Sequence, residues 1–140
     1  MGRSIWAIFC GVLVASLWIV SLEWINGRIY PWPQEISLDD PEAVARYLES
    51  SSAFLWGVSA ADFVASFIGG WLAGRTARRK HVIHALLVGM ILFAIGITKL
   101  MALPHPVWFW VVGQASFLVG GFLGGFVASL TAVRPTPGLT

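Results

Sequence analysis

The chain has 140 residues, of which 57% are hydrophobic and only 11% are charged. A typical soluble domain carries about 25% charged residues, so this chain cannot build the polar surface that a soluble domain needs. Its mean hydropathy of +0.77 indicates that lipid surrounds most of it, and its length suits one domain, residues 1–140. The charges are segregated along the chain, which favours membrane topology over nucleic-acid binding.

Four apolar segments are each long enough to cross roughly 30 Å of hydrocarbon as a helix. They cover about residues 5–24, 53–73, 82–103 and 107–132. Because only helices and closed barrels satisfy the backbone in lipid, and these runs lack the alternation of barrel strands, we expect an all-α fold with four transmembrane helices. The first run is longer than the apolar region of a signal peptide and lacks a convincing cleavage site, so it is expected to be an uncleaved anchor.

The loop over residues 26–52 has its own predicted structure. Tyr30–Pro33 contains two prolines and should be extended. Asp40 is placed to cap a short helix over about residues 41–49, with Pro41 at the first position. Its apolar face is expected to lie on the bilayer surface or on the helix bundle.

Basic residues predict the orientation. The turn after the second segment and the two termini carry Arg75, Arg78, Arg79, Lys80, Arg3 and Arg134, whereas the loop 26–52 carries Arg28 and Arg46 against five acidic residues. Since Lys and Arg concentrate on the cytoplasmic side, both termini are predicted to be cytoplasmic and the acidic loop to lie outside. A multi-pass protein of a cell inner membrane is the expected setting.

Small residues recur every four positions in the second and fourth segments, and positions four apart lie on one helix face. These rows predict glycine-rich packing, within one chain or between chains, because close backbone approach drives helix association in lipid. The segments also match at an offset of 55 residues, which predicts a parallel repeat of two hairpins or convergence on the same packing chemistry. The predicted packing residues are Ala61, Ala65, Ser66, Gly69, Gly70, Gly120, Gly121, Gly124 and Gly125.

Asp62 is the most informative polar residue. It lies about nine residues into its segment, roughly 13 Å deep, where an exposed carboxylate costs at least about 2.5 kcal/mol. We therefore expect Asp62 to face protein or water. Gln114 lies at a comparable depth, and Asp62, Ser59 and Gln114 are predicted to form a hydrogen-bonded set.

Three further polar residues are expected above Asp62, nearer the outer face. Glu23 and Lys99 are placed to form an ion pair, or alternatively to extend separately to the interface. His105 lies in the outer turn between two prolines. Together with Asp62 and Gln114 they define a hypothetical ligand or proton site that opens outward, the alternative being that Asp62 holds helices together as a hydrogen-bonding group.

Several short motifs occur together: Tyr30–Pro33, the Asp40-Pro41 helix start, Gly69–Ala73 and Pro104–Phe109. In combination they resemble a group of small four-helix bacterial inner-membrane proteins without a known activity. The resemblance implies a bacterial inner-membrane setting and brings no substrate, cofactor or catalytic residue.

The function expected first is a non-enzymatic helix-packing module, either self-associating as a homo-oligomer or serving as an accessory subunit of a larger membrane complex. The alternative is a small transporter or ligand-binding protein that uses the site around Asp62. A lipid-modifying enzyme with His105 and Glu23 is a third hypothesis. No catalytic motif, metal site, cofactor site or nucleic-acid partner is predicted.

Overall fold

The computed structural model describes residues 2–77 and 79–132. Within these ranges the chain forms five helices and no strand: α1 (Gly2–Ile29), α2 (Pro41–Ser50), α3 (Ser52–Thr76), α4 (His81–Ala102) and α5 (Val107–Leu130). Four of them, α1, α3, α4 and α5, are long and apolar enough to cross a membrane. The predicted all-α class with four long apolar helices is confirmed, while Arg78 and Arg134 of the predicted orientation signal lie outside the described residues.

The four long helices alternate in direction. α3 packs against α1, α5 and α4, and α4 also packs against α5 and, less extensively, against α1. The ion pair of Glu23 with Lys99 joins the ends of α1 and α4 at the same end of the bundle as α2, which we call the α2 end. The opposite end, which holds the turn between α3 and α4, we call the basic end.

The first helix is longer than predicted. The sequence predicts a helix over residues 5–24 and a loop from residue 26, but α1 continues to Ile29. The hydropathy pattern marks where apolar residues stop, whereas the helix itself continues until Pro31 approaches, because a proline disfavours helical geometry in the residue before it. The extension carries Asn26 into a buried position on the bundle.

The small-residue rows of α3 and α5 pack inside the chain. A Cβ added at Gly70 would lie 2.9 Å from the Gly121 carbonyl oxygen, and one added at Gly120 would lie 2.5 Å from the Phe63 carbonyl oxygen. A Cβ at Gly124 would overlap the Phe67 carbonyl oxygen. Only glycine permits backbones this close, so these rows fix the spacing of α3 and α5.

The second row of each helix faces a different neighbour. Gly69 packs against Gly11 of α1, since a Cβ at Gly69 would lie 2.5 Å from the Gly11 carbonyl oxygen. Gly125 faces α4, with an added Cβ only 2.5 Å from the Ala85 side chain. Gly69 and its match at an offset of 55, Gly124, therefore contact different helices, α1 and α3, and the two-hairpin repeat stays a prediction.

The loop and α2 cover one end of the bundle. Asp40 caps α2 by accepting hydrogen bonds from the amides of Glu42 and Ala43, each 3.1 Å long, with Pro41 in the first turn. This confirms the predicted start of the helix. Val44 and Leu48 are fully buried in an apolar cluster with residues of α3, α4 and α5, so of the two predicted positions for this face, the helix bundle is the one observed.

Candidate functional site

A cavity of about 510 Å³ opens at the α2 end of the bundle. It lies between the long helices, with the loop and α2 forming part of its wall through Trp32, Leu38 and Leu48. Volumes of roughly 300–1,000 Å³ are typical of small-molecule sites. Its remaining walls are mainly apolar and aromatic, and they include Phe54, Leu55, Val58, Leu100, Leu103, Phe109 and Phe117.

All five residues of the predicted ligand or proton site line this one cavity: Glu23, Asp62, Lys99, His105 and Gln114. They come from α1, α3, α4, the turn before α5 and α5 itself. The up-and-down arrangement brings them together because each lies toward the α2 end of its own element. Depth along the helix, which a sequence reveals, is therefore enough to place them at a common level.

Asp62 and Gln114 form the deep part of the lining. Asp62 is ten residues from the start of α3, about 15 Å along the axis, and its residue is only 6% exposed; Gln114 is 8% exposed. Protein rather than lipid therefore surrounds these two side chains. This confirms the prediction that Asp62 faces the interior of the bundle.

The hydrogen bonds predicted among Asp62, Ser59 and Gln114 do not form. Asp62 Oδ1, Gln114 Oε1 and Ser59 Oγ are each buried without a hydrogen-bond partner among the described residues. Similar depth does not fix the rotation of a side chain about its helix, and this is why the prediction was wrong. Buried polar atoms are nearly always paired, so unpaired oxygens on a cavity wall require an explanation.

The small residues of the bundle make room for this arrangement. Gly96 of α4 lies directly against the floor, because a Cβ added there would be 2.9 Å from Gln114 Nε2 and 2.6 Å from Phe117 Cε2. Gly113 also lines the cavity, but a Cβ there would meet the Phe109 ring at an ordinary 3.4 Å. A side chain at Gly96 would thus disturb the packing at the deep end of the cavity, whereas an alanine at Gly113 would not. Gly113 is therefore a matched control position.

The predicted ion pair stands at the rim. Lys99 Nζ donates to Glu23 Oε1 over 2.7 Å, with the side chains 53% and 32% exposed, respectively. It connects α1 to α4, which otherwise pack together less extensively than their neighbours do. At this exposure an ion pair contributes little to stability, but it neutralises the rim and leaves the Lys99 ammonium occupied.

His105 lies at the edge of the cavity in a fixed orientation. Its ring stacks on Phe109 with centroids 5.1 Å apart, and its Nδ1 is 2.9 Å from the Leu103 carbonyl oxygen. Among the described residues no group of three His, Cys, Asp or Glu side chains is arranged to hold a metal ion. The cavity lining combines a few polar side chains with mainly apolar walls.

Two structural contributors went unrecognised in the sequence. Asn26 is 7% exposed, and its Nδ2 donates to the Phe54 carbonyl oxygen over 3.1 Å. Ala7, Gly11 and Ala15 form the small-residue face of α1 and are all buried. Their spacing of four residues was the signal that could have revealed this face. The buried face of α1 continues through Ile19 to Asn26, which lies about two turns further along the helix.

No protein-family model matches the chain, and comparisons with curated proteins and with solved structures found no match either.

Proposed function

We propose that this chain is a multi-pass protein of a bacterial inner membrane, with both termini in the cytoplasm and the α2 end outside. The shortest of the four long helices has 22 residues, about 33 Å, which matches a hydrocarbon thickness of roughly 30 Å. Arg3, Arg75, Arg79 and Lys80 lie at the basic end, and the acidic loop lies at the other. The preference of basic residues for the cytoplasmic side supports this orientation.

Orientation is tested by labelling intact cells with a membrane-impermeant thiol reagent. The natural Cys10 is first replaced by serine, and single cysteines are placed at Gln34 in the acidic loop or at Lys80 in the basic turn. We expect Gln34→Cys to react in intact cells and Lys80→Cys to react only after permeabilisation. The reverse pattern would invert the topology.

Within that membrane the function we propose is binding of a small amphipathic molecule in the cavity at the α2 end. The observation that carries it is that Asp62 and Gln114, two residues of the cavity wall, each have a buried side-chain oxygen without a hydrogen-bond partner among the described residues. Leaving a buried polar group unpaired costs about 1–3 kcal/mol, and a bound molecule that donates hydrogen bonds removes that cost. Apolar walls with a few convergent polar groups are the usual composition of such sites.

The glycine rows no longer support the helix-packing function that was expected first from the sequence. Gly70, Gly120, Gly121, Gly124 and Gly125 all contact other helices of the same chain. The rows are thus occupied, and a second copy would need a different surface. Association with another protein stays a prediction, but the cavity supports binding more directly.

The binding proposal is tested by asking whether small molecules reach the cavity. In the Cys10→Ser chain in lipid vesicles, Val58→Cys places a thiol on the cavity wall, and Val111→Cys places one on the outward face of α5, where the native valine is 66% exposed. Both lie within two turns of the α2 end. The neutral reagent 2-hydroxyethyl methanethiosulfonate reacts with thiolates, which form only where water reaches.

We expect Val58→Cys to react at least about tenfold faster than Val111→Cys, because the cavity admits water and solutes whereas hydrocarbon surrounds the outward face. Gly96→Leu in the Val58→Cys chain should slow the reaction by filling the deep end. A Val58→Cys thiol that reacts no faster than the Val111→Cys thiol would refute the proposed function.

A further inference from the structure

The buried polar atoms that lack a partner at the floor of the cavity are oxygens and can accept hydrogen bonds. Asp62 and Gln114 both line it, and one carboxyl oxygen of Asp62 and the amide oxygen of Gln114 are buried without a hydrogen-bond partner among the described residues. Acceptors of this kind are satisfied by a group with several N–H or O–H donors. A carbonyl, an ether or a carboxylate on the bound molecule would add further acceptors and leave the oxygens unpaired.

The charges around the cavity favour a cation over an anion. Glu23 and Lys99 neutralise each other over 2.7 Å at the rim. Among the described residues no cation is paired with Asp62, so an ionised Asp62 leaves the lining with a net negative charge. In a site of low dielectric an ammonium gains from that charge, and a carboxylate or phosphate is repelled by it.

The walls specify what the rest of the molecule must be. Phe54, Phe109 and Phe117 place aromatic rings around an otherwise apolar space of about 510 Å³. Alkyl and aryl groups gain from burial there, and an ammonium that passes over an aromatic face is also attracted to it. The molecule therefore has a compact cationic head and a lipophilic body.

Resting on the binding function above, we propose that the cavity binds lipophilic primary amines. The ammonium group, which has three N–H donors and no acceptor, hydrogen-bonds to Asp62 Oδ1 and Gln114 Oε1, and the apolar body lies between the aromatic side chains toward the α2 end. Gly96 leaves room for the native positions of Gln114 and Phe117, because any side chain there would displace both of them.

The test uses four ten-carbon probes that differ only in the head group: decylamine, decyltrimethylammonium, decanol and decanoate. Each is added to vesicles that hold the Cys10→Ser, Val58→Cys chain, and protection of the Val58→Cys thiol from 2-hydroxyethyl methanethiosulfonate is measured. The Val111→Cys chain in the same vesicles corrects for nonspecific effects of each probe on the bilayer.

We expect decylamine to protect the thiol at a concentration at least about tenfold lower than any other probe, as two charge-assisted hydrogen bonds would produce. Asp62→Asn should abolish that advantage, with protection in each variant measured relative to that variant's own unprotected reaction rate. Gly96→Ala should weaken protection by decylamine, and Gly113→Ala should preserve it.

Equal protection by decanol or by decyltrimethylammonium would overturn the assignment of a primary amine, as would stronger protection by decanoate. Decylamine protection that persists in Asp62→Asn would also overturn it. In each of these cases the thiol still reacts and is still protected, so the binding function survives. A Val58→Cys thiol that reacts no faster than the Val111→Cys thiol is the separate result that refutes the binding function itself.

Discussion

Gly120→Ala tests whether the glycine rows hold this bundle together from within. The added Cβ would lie 2.5 Å from the Phe63 carbonyl oxygen and 3.2 Å from the Phe67 amide nitrogen. Carbon and carbonyl oxygen approach each other to about 3.3–3.6 Å, so α3 and α5 must separate by roughly 1 Å. A gap of that size removes about a quarter to a half of each dispersion contact along the interface.

The expected loss of stability follows from two opposing effects. Overpacking typically costs about 1–3 kcal/mol, and the upper end applies because the obstacle is backbone rather than the tip of a flexible side chain. Alanine has the higher helix propensity, which offsets up to about 1 kcal/mol. The net loss is about 2 kcal/mol, roughly a thirtyfold change in the folding equilibrium constant.

The assay is unfolding of the purified protein from nonionic micelles by increasing mole fractions of dodecyl sulfate, followed by tryptophan fluorescence. Gly27→Ala is the matched control, because nothing lies within 4 Å of a Cβ added there; it should be neutral or stabilise α1 by up to about 1 kcal/mol. If Gly120→Ala left the unfolding midpoint unchanged but reduced crosslinked dimers, the rows would pack between chains and the intramolecular packing described above would be refuted.

Three further experiments probe the α2 end. Asn26→Ala removes the hydrogen bond to the Phe54 carbonyl oxygen and should cost about 1 kcal/mol in the same titration, whereas an unchanged midpoint would show that this bond does not hold α1 to α3. Asp40→Ala removes the cap of α2 and should cost about 1 kcal/mol of helix stability, seen as faster amide exchange confined to α2; unchanged exchange would argue against the cap. In a double-mutant cycle, Glu23→Gln and Lys99→Met should couple by under about 1 kcal/mol, and a larger coupling would mean that the pair is shielded from solvent.

The packing surfaces were predictable wherever glycine was dense. The rows through Gly70 and Gly121 were visible because several small residues recur at a spacing of four. The equivalent face of α1 contains a single glycine, Gly11, between two alanines, and alanine occurs on any helix face in lipid. The role of this face of α1 became visible only from the contact between Gly11 and Gly69 of α3, because two helices together define a packing face.

The sequence predicted the depth of the site residues along the helices but not the orientation of their side chains. Asp62, Gln114 and Glu23 were brought together correctly from their distances along the helices, because antiparallel helices of similar length keep residues at a common level. Side-chain rotation and empty volume depend on how neighbouring helices turn about their axes. The sequence does not state how far each helix is rotated about its own axis. The hydrogen bonds were therefore predicted wrongly, and the predicted outward-opening site had no stated volume or apolar lining.

Gln114→Leu separates a binding role from a structural one. The substitution keeps the volume of the side chain close to its native value and removes an oxygen that is buried without a partner. If the amide serves the fold, its loss should destabilise the bundle. If it serves a bound molecule, the ligand-free protein should instead become more stable, by about 1–3 kcal/mol, because an unsatisfied polar atom has been removed from the interior.

We expect the stabilising outcome in the dodecyl sulfate titration, together with weaker protection of the Val58→Cys thiol by decylamine. Functional sites often retain groups that lower the stability of the protein, so stability and binding should move in opposite directions here. A destabilisation of more than about 1 kcal/mol would identify Gln114 as a hydrogen-bonding group that holds α5 to its neighbours. The opposed signs of the two measurements are the feature that a purely structural role cannot produce.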